Sequence, residues 1–100
     1  MAEEEVPYDV AVNVSKGQDG YGIYFNSGGG IIRVTKLDKK SEAELAGVQV
    51  GDQLVCIQEL DKNNKAVGNK VPVSLDNYQA VLNLVRDMRY CRMEFLAPAF

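Results

Sequence analysis

The hundred-residue chain contains no histidine. That absence removes Ser-His-Asp and Cys-His nucleophilic catalysis, histidine-ligated zinc and any imidazole pH switch. Cysteine is scarce too: Cys56 and Cys91 stand alone, each in an apolar segment and neither in a CxxC pair. They read as buried reduced thiols behaving as small hydrophobes, which suits a cytoplasmic setting; a disulfide between neighbouring strands is the alternative. Apolar runs are only a few residues long, so neither a bilayer span nor a signal-peptide core is expected. Fourteen acids against eleven bases leave a net charge of −3, the wrong sign for holding a nucleic-acid backbone. What is present, 46% hydrophobic and 25% charged residues, fits one globular domain of ordinary size.

Residues 1–7 are expected to be a flexible acidic tail, 8–96 the domain and 97–100 a C-terminal tail. Val10, Val12 and Val14 alternate with Ala11, Asn13 and Ser15, the period of a half-buried strand. A glycine-bearing loop, Lys16 to Gly22, leads to a short strand from Ile23 to Phe25. Asn26 to Gly30 then turns the chain into a third strand from Ile31 to Leu37. Ser41-Glu42-Ala43-Glu44 is a capping box, and Gly47 is placed to end the short helix in a left-handed conformation. Gly51-Asp52 turns into a strand from Gln53 to Gln58, covered on both faces. Glu59 to Lys70 is a polar surface loop or a small excursion hairpin, and Val71 to Val73 is briefly extended. Leu75, Tyr78, Val81, Leu82, Val85 and Met88 recur at helical spacing, with Ser74 or Asp76 as the cap, before a last strand from Tyr90 to Leu96. The fold class that follows is mainly β (α+β): a partly open β-barrel of five to six strands capped by two helices.

Most chemical readings fail on these residues. The loop lacks GxxxxGK[ST], and Phe25 stands where GxGxxG needs its third glycine. A strand follows it, so no helix N-terminus is there to hold phosphate. Asp61-Lys62-Asn63-Asn64 begins like an EF-hand loop, yet Ala66 and Pro72 occupy the positions of the turn glycine and the bidentate Glu. Arg86, Arg89 and Arg92 are diluted by Asp87 and Glu94, and read as a solvated face. No paired carboxylates in an apolar pocket are indicated, so catalysis is not expected and no metal or cofactor is implied. What remains is backbone chemistry. Two glycines in Gly20-Tyr21-Gly22-Ile23 let successive amide N–H groups converge into a nest for an anion. A strand edge left open beside an amphipathic helix has a natural ligand in an extended peptide ending in a carboxylate.

These residues, from Val10 to Leu96, resemble a PDZ domain. Lys16 precedes Gly20-Tyr21-Gly22-Ile23 as a basic residue precedes the family's GLGF-type loop. Ala46-Gly47-Val48-Gln49-Val50-Gly51-Asp52-Gln53-Leu54-Val55-Cys56-Ile57 is similar to its AGL-x-VGD-x-I-L-x-V run, and Asn77-Tyr78-Gln79-Ala80-Val81 falls where the second helix reads H-x-x-A-V. The resemblance implies a groove that captures the C-terminal residues of partner proteins. The carboxylate would lie on the amides of Tyr21, Gly22 and Ile23, with Gly20 shaping the loop and Lys16 helping through water. Ile23, Tyr24, Phe25, Asn77, Val81 and Leu84 would form the groove, with Tyr21 beside the end pocket. Asn77 stands in place of the histidine that in many relatives bonds a Ser or Thr two residues before the ligand's end. An amide can both donate and accept there. Val81 is expected to narrow the groove, and the segment from Glu59 to Lys70 is longer than the family's usual link. Two alternatives accompany this reading: a substrate-reading domain of a larger enzyme such as a protease, and self-association in which Phe100 of one molecule enters a neighbour's groove.

Overall fold

The computed structural model describes residues 7–17, 20–28 and 31–98. Most of the acidic tail (residues 1–6), Gln18 and Asp19 of the loop, Gly29 and Gly30 of the turn, and Phe100 with its expected self-contact lie outside the described residues. The elements run β1 (Val10–Ser15), β2 (Ile23–Gly28), β3 (Ile31–Leu37), α1 (Glu42–Ala46), β4 (Gln53–Leu60), β5 (Val71–Pro72), α2 (Tyr78–Asp87) and β6 (Tyr90–Leu96). The strands form one six-stranded antiparallel sheet in the order β1-β6-β4-β3-β2, with β5 on β4. Because β1 and β2 are the two ends of that order, the barrel stays partly open and β2 keeps one edge unpaired among the described residues.

The core follows from alternation. Val12 and Val14 of β1, Ile32 and Val34 of β3, and Cys91, Met93 and Phe95 of β6 all point to one buried cluster. Each apolar side chain of that size contributes about 1.5–3 kcal/mol on burial. The other face of β6 differs from expectation: Glu94 is 2% exposed rather than solvated. The reason is topological. β6 lies between β1 and β4, with Ala11 and Cys56 opposite Glu94. Lys70 at 3.0 Å and Arg92 at 3.2 Å supply the counter-charge its burial requires. Both cysteines are buried and free.

β2 continues through Asn26, Ser27 and Gly28, which were expected to turn, because they pair with Arg33, Ile32 and Ile31 across the hairpin. β4 likewise runs two residues past Gln58 to Leu60, held along its length by β6. At α1 the Ser41 hydroxyl accepts from the Glu44 N–H at 3.2 Å, and Gly47 at φ +102° closes the helix. The reciprocal half of the capping box is shifted by one residue. The Ser41 N–H donates to the Asp38 carbonyl, so the Glu44 carboxylate takes the N–H of Lys40 at 2.9 Å. The segment after β4 is indeed a small excursion hairpin, with Leu60 bridged to Ala66. Asp61 accepts from the N–H groups of Asn63 and Lys65 at 2.8 and 3.0 Å, so its carboxylate builds a turn.

α2 is capped neither by Ser74 nor by Asp76: Asn77 occupies the N-cap without a side-chain cap bond. Leu75, counted in the apolar stripe, precedes the helix in a turn and is 70% exposed. No helix among the described residues is long and apolar enough to cross a membrane.

Candidate functional site

The loop entering β2 is pinned at its base. The Gly17 N–H donates to the Gly20 carbonyl at 2.8 Å, and Gly20 returns the bond to Gly17 at 3.3 Å. Gly20 then has φ +97° and Gly22 φ +79°, while Tyr21 between them keeps an ordinary negative φ. Left-handed glycines on both sides of Tyr21 are the backbone signature from which anion nests are built. The N–H groups of Tyr21 and Gly22 have no partner among the described residues. Gly22 is required twice over, since a Cβ there would stand 2.8 Å from the Cβ of Ser41.

The phase of the ladder decides where the next amide points. The Gly22 carbonyl accepts from the Asp38 N–H at 2.9 Å, on the β3 side. Backbone polar groups alternate along a strand, so the N–H and carbonyl of Ile23 face the unpaired edge. A bulge between Tyr24 and Phe25 follows, where the Thr35 hydroxyl donates to the Tyr24 carbonyl at 3.2 Å.

Facing this edge across a groove of about 490 Å³ is α2, which contributes Leu82, Val85 and Arg86. Ile23, Phe25 and the Tyr21 ring line the other wall, with Lys16, Gly20 and Tyr24 at its margins. Phe25 is anchored from below, its ring stacked 6.5 Å from that of Phe95. Tyr21 does more than line the groove. Its one hydroxyl proton is shared between the carbonyls of Val85, at 3.1 Å, and Met88, so the loop is tied to the C-terminal turn of α2. Burial raises the Tyr21 hydroxyl above its usual range, with the charges of Cys91 and Glu59 adding to the effect, and keeps it a donor. The Lys16 ammonium donates to the Arg86 carbonyl in that same turn, and its N–H donates to the Arg89 carbonyl at 2.8 Å. A cation at a helix C-terminus is favourable, and here it also leaves positive charge beside the nest.

Of the residues singled out in the sequence, Lys16, Gly20, Tyr21, Ile23, Tyr24 and Phe25 come together around this groove. Gly22 lines an adjoining polar recess, which Gly20 and Tyr21 also border, together with Asp38, Ser41 and Glu42. The other three stand elsewhere. Val81 is fully buried, turned into the core rather than to the groove. Leu84 is 42% exposed and faces outward. Asn77 spends its amide on the preceding turn: Oδ1 accepts from the Ser74 N–H at 2.7 Å and Nδ2 donates to the Pro72 carbonyl at 2.8 Å. The helix presents the neighbouring row instead, Leu82, Val85 and Arg86. Leu82 and Val85 already stand in the apolar stripe, but spacing alone does not say which margin of that stripe meets solvent.

No family model matches the sequence, and no curated protein matches it either. Among solved structures the chain is similar to INAD PDZ3 in complex with a TRP channel tail, at 26% identity and a TM-score of 0.62, covering 88% of this chain and 84% of that one. It is also similar to a PDZ domain of SHANK1 from a choanoflagellate, bound to GIRK3 peptide, at 16% identity and a TM-score of 0.61, covering 94% and 98%. With its open six-stranded sheet, two helices and glycine-flanked loop, the chain has the PDZ fold.

Proposed function

We propose that this domain is a non-enzymatic module that captures the C-terminal carboxylate and last few residues of partner proteins by strand addition to β2. The carrying observation is the pair of amides at Tyr21 and Gly22 that have no partner among the described residues, held between two left-handed glycines at the start of a strand edge that no described strand covers. The two similar domains support the reading, one complexed with a channel tail and the other with a peptide.

A carboxylate at the N-terminal end of β2 requires the ligand to run antiparallel to it. The last ligand residue then forms a hydrogen-bonded pair with Ile23, its carboxylate receiving the N–H groups of Tyr21, Gly22 and Ile23. The third-last residue pairs with Phe25, and both side chains enter the groove between Phe25 and Leu82. Each hydrogen bond to a charged group contributes about 1.5–3 kcal/mol, and about 1.4 kcal/mol is tenfold in affinity. Calorimetric titration with a peptide ending in an apolar residue, as free acid and as amide, tests this. The acid should bind at least about tenfold more tightly; equal binding excludes the carboxylate nest.

A further inference from the structure

Ligand side chains that point away from the groove meet a second surface, the outer face of β2. Ile23 turns inward to the core cluster and Phe25 packs against it, so Tyr24 between them turns out, 40% exposed. Lys36 lies directly opposite Tyr24 in the β2–β3 register. Its side chain is exposed, and its ammonium lies over the Tyr24 ring, 5.1 Å from the centroid. The charge therefore stands against the β2 residue that an added strand would face. Arg33, opposite Asn26, leans the other way and donates to the Gly51 carbonyl at 3.2 Å. Lys36 makes no ion pair among the described residues. The acid closest along its own strand, Asp38, lies beside Gly22, where the ligand's end would be.

In a strand added antiparallel to β2, with its last residue paired to Ile23, the penultimate residue pairs with Tyr24. That is a non-hydrogen-bonded pair, with Cα atoms about 4.5 Å apart and both side chains on the outer face. An acidic side chain at this position reaches over the Tyr24 ring to the Lys36 ammonium. We propose that Tyr24 and Lys36 form a subsite for the penultimate ligand residue and select an acidic side chain there; the inference rests on the strand-addition reading. Asp38 opposes the selection only at longer range, since it stands two pairs further toward the ligand's end.

The test uses fluorescence polarisation with fluorescein-labelled hexapeptides that end in Val and differ only in a penultimate Glu, Gln or Lys. An exposed pair of this kind is expected to make the Glu peptide about two- to fivefold tighter than the Gln peptide, with the Lys peptide weakest. The spread should shrink in about 0.5 M salt. Lys36→Gln should level the three, and Lys36→Glu should reverse their order. Equal affinities across the series, with the free acid still preferred over the amide, overturn the subsite and leave strand addition standing. Loss of the acid-over-amide preference overturns both.

Discussion

The Tyr21 hydroxyl and the Val85 carbonyl lie 3.1 Å apart, joining the loop before β2 to the last turns of α2. The loop bears the nest and the helix bears one wall of the groove, so this bond fixes the nest relative to the pocket beneath it. Tyr21→Phe keeps the ring but leaves the carbonyls of Val85 and Met88 short of a donor. It should cost about 1–2 kcal/mol in urea unfolding. If Tyr21 acts through the nest, the variant should also lose more affinity for a free-acid peptide than for its amide. A purely structural role predicts equal loss for both.

Gly20 and Gly22 both have positive φ, but their surroundings differ. Nothing lies within 4 Å of a Cβ built on Gly20, whereas Gly22 meets Ser41 at 2.8 Å. Gly20→Ala should therefore cost only the backbone term, about 1–2 kcal/mol. Gly22→Ala should cost more, because β2 and the start of α1 must separate, and peptide binding should fall with it. Thermal unfolding of the two variants side by side checks the ranking; equal losses contradict it.

Burial pushes both thiols up from an ordinary value near 9 to about 11, helped at Cys56 by the charge of Glu94 and a hydrogen bond to it. A neutral form retained in the folded state stabilises fully below the unfolded-chain value and loses that advantage as pH rises through the folded one. Stability should hold up to about pH 9 and decline toward about pH 11, with a shallower decline when Cys56 and Cys91 are both replaced by Ala. Both thiols should also resist an aromatic disulfide reagent at neutral pH. Rapid labelling of the native protein would contradict their burial.

Asn77 is bound to the turn before α2 through both ends of its amide. Asn77→Ala should destabilise the domain by about 1–2 kcal/mol. It should leave the ratio of affinities for Thr- and Val-containing peptides, varied two residues before the end, nearly unchanged. A collapse of that ratio would return Asn77 to the ligand.

Much of this architecture was legible in local sequence, where one residue dictates one conformation. Alternation marked β1, Ser41 and Gly47 bracketed α1, and Gly20 and Gly22 announced two left-handed residues in the loop before β2, since few other residues take positive φ. The misses share another cause: they depend on partners distant along the chain. Glu94 is buried only because β1 flanks β6 on one side and β4 on the other. The groove-facing row of α2 is Leu82, Val85 and Arg86 rather than Val81 and Leu84, because Val81 is taken up by the core cluster and Leu84 stands on the exposed side of the helix. Likewise, a cation over Tyr24 follows from β-register, which one strand's sequence does not encode.

Amide NMR reads the central claim most directly. A ¹⁵N-labelled domain titrated with a free-acid peptide should show large downfield proton shifts at Tyr21, Gly22 and Ile23, which the amidated peptide fails to produce. Identical shifts with both peptides, or no response from these three amides while the peptide binds, would contradict capture of a carboxylate by the loop.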